Sequence, residues 1–228
     1  MTHLIDGEIE MISQYISPNS VVIDVGAMEG EWSAAVFSKV WDVQIHAFEP
    51  TPVSYDKLNE LMSVAIDNRR LIANCLAISN ISDNANTFWV YEDWMGMCTL
   101  HRRDDAIINR IGIGSPICIR VNTISLDEYC RNNEIEHVDF LKIDTEGNEW
   151  AVLDGARELL EKGAIKTIQF EYGGCYLDAG TTLEMIFDLL IPYGFKIGKV
   201  NSQEIKFYDR FIPELETYDF CNYVAVMK

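Results

Sequence analysis

Val21-Val22-Ile23-Asp24-Val25-Gly26-Ala27-Met28-Glu29-Gly30 decides how this chain is read. An apolar run carrying one acid is the pattern of a strand covered on both faces. Glycines at 26 and 30 let the backbone turn sharply and approach a ligand closely. A helical pattern follows from about Glu31 to Val40, and a helix N-terminus presents free N–H groups. Glu49-Pro50 ends the next strand pattern, Val43 to Phe48. An acid at that distance can accept hydrogen bonds from both hydroxyls of a ribose. The bland alternative is an ordinary strand-to-helix turn with an incidental acid.

Two ligand classes use such a turn. A dinucleotide site wants G-x-G-x-x-G, whereas the pattern here is D-x-G-x-x-x-G, with Asp24 in place of the first glycine. A carboxylate repels a pyrophosphate and attracts the amino group of a cationic, phosphate-free cofactor. S-adenosylmethionine is that cofactor, and a nicotinamide-dependent dehydrogenase is disfavoured.

Outward from this turn the chain alternates. A leading helix is expected over 7–17, with Ile9, Ile12 and Ile16 on one face and Pro18-Asn19-Ser20 ending it. Thr51-Pro52 opens a helix with Tyr55, Leu58, Leu61 and Met62 facing inward. Strands are expected at Leu71 to Leu76, Val138 to Ile143, Ile165 to Phe170, Phe195 to Val200 and Tyr223 to Met227. A helix runs from Glu149 to Lys162, and Thr181-Thr182-Leu183-Glu184 is a capping box before another. Alternating short strands and helices predict a parallel sheet with crossover helices. Between Thr87–Tyr91 and Ile117–Val121, which look like added strands, EDWMGMCTLHRRDD does not read as core. At roughly 150 residues per domain, 228 residues make a single domain, 1–228, with a helical extension at 1–19 and an irregular substrate-side insertion at 84–123.

The formal net charge of −18 disfavours nucleic acid, whose binding needs Lys and Arg, and anionic membranes. A neutral or cationic small molecule or saccharide is the expected partner, and a homo-oligomer is compatible with the sequence. Six cysteines without a CxxC pair, and an opening MTHLIDGEIEMISQYI without a basic region before an apolar stretch, point to a cytoplasmic protein with reduced thiols.

The sequence resembles the FkbM family of S-adenosylmethionine-dependent methyltransferases over roughly residues 20–175. The resemblance rests on IDVGAMEGEWS (23–33), AFEP (47–50), LAIS (76–79), TISLDEY (123–129) and LKIDTEGNEWAVLDGA (141–156). Met28 departs from it, since the family often has Asn there. The resemblance implies a class I, Rossmann-like α/β fold: a seven-stranded, mostly parallel sheet with the last strand antiparallel and helices on both faces. It implies O-methylation of a sugar, glycan or natural product. Cofactor contacts are expected at Asp24, Gly26, Ala27, Met28, Gly30, Glu49, Pro50 and Asp144, and the resemblance puts adenine near Ala77 and Ile78.

A hydroxyl acceptor needs a base or a divalent metal that lowers its pKa. Acids at the carboxyl ends of strands are the candidates: Asp144 for the cofactor or a metal, Glu146 facing the acceptor, Glu171 as base or metal ligand. Glu146 and Glu149 equally suit the positive N-terminus of the following helix. Lys142 is expected to pair with one of these acids. His101, alone among the histidines in the insertion, is a further candidate base or a solvated loop residue; His3, His46 and His137 lie elsewhere. Arg102 and Arg103 read as a charged turn or as a grip on an acidic group. Trp94, Met95 and Met97 read as an acceptor wall or as core. N-methylation of an amino sugar, and cofactor binding without turnover, are the competing readings.

Overall fold

The computed structural model describes residues 6–92, 95–200 and 204–228, which leaves His3 and Trp94 outside the described residues. Eleven strands are found among them: β1 Val21–Val25, β2 Gln44–Phe48, β3 Leu71–Asn74, β4 Ala77–Ile78, β5 Asp83–Val90, β6 Ile117–Ile124, β7 Val138–Ile143, β8 Ile165–Tyr172, β9 Phe195–Val200, β10 Ile205–Tyr208 and β11 Cys221–Met227. Eight form the main sheet in the order β10-β9-β11-β8-β7-β1-β2-β3. β1 pairs in parallel with both β2 and β7, and β11 inserts antiparallel between β8 and β9. This is the expected class I arrangement with one addition. β10 extends the edge of the seven-stranded frame, antiparallel to β9.

Alternate side chains of these strands serve opposite faces, and each face has its own core. Ile23, Val25, Leu141, Ile143, Ile168 and Phe170 pack on one side under the helices that follow β6, β7 and β8. Val22, Ile45, Ala47 and Phe140 pack on the other against Ile12, Trp32, Val36 and Leu58. The chain leaves β1 toward β2 and β3, and returns to build β7 and β8 on its other side. A crevice therefore opens at the carboxyl ends of β1 and β7, where such sheets bind ligands.

Local departures from the sequence reading have local causes. The leading helix spans Asp6–Tyr15 and buries Glu8, Met11 and Ile12, with Ile16 buried just beyond it, while Ile9 is half-buried. In the helix Pro52–Leu61, Leu61 is 65% exposed and Ser54 takes the inner face. The helix expected from Glu149 breaks at Gly155 into Glu149–Asp154 and Arg157–Glu161. There the backbone passes so close that a Cβ would lie 2.3 Å from the Ser79 carbonyl oxygen. The capping residue of Leu183–Leu190 is Thr182 rather than Thr181, and the helix's first two amides donate to Glu216, 32 and 33 residues along the chain.

The insertion is more ordered than expected. β5 and β6 form an antiparallel pair that β4 joins on the other edge of β6, and the helix Asp105–Ile111 lies between them in sequence. Thr99 and Arg103, within the stretch expected to be non-core, are both buried. All six cysteines are free thiols, and among the described residues no helix is long and apolar enough to cross a membrane.

Candidate active site

The turn after β1 is built by backbone crowding. Gly26 has φ 84°, and a Cβ there would sit 1.8 Å from the Asp144 carbonyl oxygen. Its glycine serves this crossing with the neighbouring strand exit, where the sequence suggested close approach to a ligand. The turn's own amides are spoken for: Gly26 and Ala27 both donate to the Phe48 carbonyl, and Met28 donates to Glu49 Oε2 at 3.1 Å. Met28 itself has φ 49°, a left-handed conformation that suits Asn better than a long side chain. Gly30 (φ 88°) makes room for Leu58, whose Cδ1 would be 2.5 Å from an added Cβ, and lies outside the cavity lining.

Glu49 is nearly buried, with Oε1 accepting from both the amide and the hydroxyl of Thr51. Thr51 thus occupies the cap position while its side chain turns back to Glu49. Burial raises the Glu49 pKa despite these donors. Its two oxygens retain acceptor capacity toward the cavity, because a carboxylate offers about four lone-pair sites.

A cavity of about 920 Å³ lies in the crevice, lined by Gly26, Ala27, Met28, Glu49, Pro50, Ala77, Ile78, Asp144, Glu146 and Glu171 among others. Asp24 is not in that lining, contrary to the direct contact expected of it. It is fully buried behind the wall, where Ser33 donates to Oδ2 at 2.7 Å and Lys142 Nζ stands 4.0 Å from Oδ1. Ala77 and Ile78 do line the cavity, but as β4 of the smaller sheet rather than as the exit of β3.

The acids after β7 and β8 divide into distinct environments. Lys142 binds Asp144 at 3.0 Å. Burial works against the Asp144 charge, but Lys142 and a hydrogen bond from Glu171 outweigh it and hold Asp144 below the usual carboxylate range. Burial and the Asp144 charge together push Glu171 well above its ordinary value. The two carboxyls face each other as an interacting pair, so their titrations are linked. Glu146 has φ 57° and its Oε2 is bound by Arg103, a buried guanidinium that also lies 3.6 Å from Asp178. Burial still pushes Glu146 up to about 7. Glu149 accepts from the amide and hydroxyl of Thr145 and from the Gly147 amide, so it ties the loop after β7 instead of facing the cavity.

His101 stands behind this wall. Asn148 Nδ2 donates to the Ile78 carbonyl at 2.9 Å, which turns Oδ1 toward His101 Nε2 at 3.2 Å and assigns the proton to Nε2. The ring does not line the cavity, so the structure gives His101 the task of holding Asn148, not of meeting an acceptor. Arg103 is neither a solvated turn nor a ligand grip, and the sequence carries no signal for its burial; Arg102 pairs with Asp105 in the open. Met95 and Met97 do line the cavity, joined by Phe88, Cys98 and Leu100 from the insertion and by Phe220. Glu8 of the first helix lines it too, a contribution missed because the extension read only as amphipathic.

The donor set does not fit a divalent metal. Among the described residues Glu146, Glu171 and Cys175 bring ligand atoms within 4.8 Å of one another, without Asp144. Arg103 already supplies the positive charge at Glu146, and burial raises the pKa of both Glu171 and Cys175, whereas metal ligands must lose their protons.

A family model described as the methyltransferase FkbM domain matches residues 24–197. The 2-O-methyltransferase NoeI of Sinorhizobium fredii (strain NBRC 101917 / NGR234) is 25% identical over 187 residues, 79% of this chain and 75% of the relative. The solved structure of methyltransferase FkbM from Methylobacillus flagellatus KT is similar with a TM-score of 0.54 and 16% identity over 92% of this chain, which spans 44% of that one. Precorrin-6y C5,15-methyltransferase from Geobacter metallireducens GS-15 gives 0.52 and 9% over 97% of this chain and 87% of its own. The two structural likenesses establish the fold.

Proposed function

The chain belongs to the FkbM family of S-adenosylmethionine-dependent methyltransferases, and from that premise we propose that it methylates a hydroxyl of a sugar, glycan or related natural product. The observation that carries this reading is the Asp144–Glu171 pair on the cavity wall, with Lys142 held 3.0 Å from Asp144. An alcohol is a poor nucleophile until its proton leaves, and Glu171, when ionised, is an acceptor for that proton. The name of the relative NoeI, a 2-O-methyltransferase, supports the choice of oxygen.

The cavity suits the cofactor. Glu49 closes one side with acceptor capacity for ribose hydroxyls, and the small Ala77 beside Ile78 leaves room for a flat ring. S-adenosylmethionine, when bound, supplies a methyl group on a positively charged sulfur that needs no further activation. What remains for the protein is alignment and exclusion of water. Phe88, Met95, Met97 and Leu100 wall the acceptor side with apolar surface. Glu171, once ionised and beside the Asp144 that Lys142 keeps charged, would take up the proton that the acceptor hydroxyl loses.

The cavity's charge bears on the acceptor. Among the described lining residues Glu8, Glu29, Glu31, Glu49, Glu92, Asp144, Glu146 and Glu171 are acidic, and Lys142 is the one cation. Such a field stabilises an ammonium and raises its pKa, which withdraws the lone pair that N-methylation needs. An amine elsewhere on the acceptor is welcome, whereas a phosphate or carboxylate is repelled. The test is incubation of the purified chain with S-adenosylmethionine and matched neutral, amine-bearing and anionic saccharides. Release of S-adenosylhomocysteine with an O-methyl signal in NMR from neutral or amine-bearing acceptors supports the reading. Methyl on nitrogen, or preference for anionic acceptors, overturns it.

A further inference from the structure

Asp24, Lys142 and Gln169 stand in register across β1, β7 and β8. In-register residues of parallel strands point to one face, so they form a polar row within the sheet. All three are buried. The helix Asp6–Tyr15 lays Glu8 over this row, where Glu8 Oε1 accepts from Gln169 Nε2 at 2.8 Å. Glu8 is itself only 6% exposed, yet it lines the cavity together with Lys142, Glu171 and Asn222.

Two features make Glu8 ligand-facing. It places a carboxylate on the cavity wall, whereas Lys142 engages Asp144 at 3.0 Å and stands 4.0 Å from Asp24. Its position along the sheet is the second. Glu49 follows β2, whereas Glu8 is anchored on β8, and β1 and β7 run between them. A ligand whose ribose meets Glu49 therefore has its far end on the Glu8 side.

We infer that Glu8 recognises the ammonium at the amino-acid end of the cofactor, an inference that rests on reading this cavity as the cofactor site. The first helix, which precedes the family-matched segment 24–197, thereby completes the site and selects for ligands carrying that ammonium.

Glu8→Gln separates this role from a structural one, because an amide oxygen still accepts from Gln169 while the charge is gone. Titration calorimetry of the full chain with S-adenosylhomocysteine, its deaminated analogue and 5′-methylthioadenosine gives the readout. In Glu8→Gln the affinity for S-adenosylhomocysteine is expected to fall about tenfold or more, the scale of one charge-assisted hydrogen bond. The affinities for the two ligands without an ammonium stay within about twofold of wild type. Unchanged affinity for S-adenosylhomocysteine, or equal losses for all three ligands, overturns the role of Glu8. Failure of the wild-type chain to bind any of them overturns the cofactor reading itself, and Glu8 with it.

Discussion

A Cβ on Gly26 would lie 1.8 Å from the carbonyl oxygen of Asp144, so the turn after β1 and the loop after β7 can exist together only with glycine at 26. The same contact brings Asp144 to the cavity and sends the Asp144 amide back to the Val25 carbonyl at 2.9 Å. The turn after β1 and the loop that carries Asp144 are one packing unit.

Gly26→Ala is therefore expected to damage both halves. A left-handed φ costs roughly 1–2 kcal/mol for a residue with a Cβ, and the overlap roughly another 1–3 kcal/mol. Chemical denaturation is expected to show a loss of about 2–5 kcal/mol, with cofactor-product binding lost in parallel. A variant within about 0.5 kcal/mol of wild type would mean the crossing is looser than described.

The buried Arg103 pairs with the half-buried Glu146 and pins the insertion to the loop after β7, reinforced by the Thr99 hydroxyl donating to the Glu146 carbonyl at 2.8 Å. Arg103→Leu leaves a half-buried carboxylate without its cation, at a cost of about 3–5 kcal/mol. The double variant Arg103→Leu, Glu146→Leu should recover much of that loss. A double variant no more stable than the sum of the two singles would show that the pair is not the coupling element.

Glu171 must be ionised, alone or through Asp144, before the pair can take a proton. Its pKa is raised by burial and then by the Asp144 charge, so activity is expected to be present above that raised value and to disappear as pH falls through it. The acid limb of kcat/KM should then lie above the ordinary carboxylate range. Glu171→Gln should abolish this limb and lower kcat by about 10²–10⁴-fold. An unshifted acid limb in Glu171→Gln would remove Glu171 from proton transfer.

His46 is buried in β2 with Nδ1 2.8 Å from the Tyr129 hydroxyl. Burial lowers its pKa from 6.5 to about 4. The unfolded chain therefore binds a proton that the folded chain refuses between those values, and stability present above pH 6.5 is lost as pH falls toward 4. The contribution is on the order of 3 kcal/mol. In His46→Leu the slope of unfolding free energy against pH over this window should flatten; an unchanged slope would assign the acid sensitivity to other groups.

Part of this was legible in the chain itself. The run Val21–Val25, the glycine turn and Glu49 read as a strand, a turn and a strand-end acid because they are local signals, set by backbone sterics and by hydrophobic period. The strand frame of the sheet follows from the same signals. The pattern LKIDTEGNEWAVLDGA placed Asp144 and Glu146 at a strand end, where they are found.

What the linear order could not carry is which groups meet. Asp24 read as a ligand contact, yet Ser33 and Lys142 enclose it, because in-register pairing with β7 aims both side chains at one buried face. His101 and Arg103 read as loop residues until the insertion folded back on Asn148 and Glu146. Glu8 is brought to the cavity by a hydrogen bond spanning 161 residues. Turns and strands are decided by neighbours in sequence; charge state and access to the cavity are decided by burial and by partners that only the folded chain brings together.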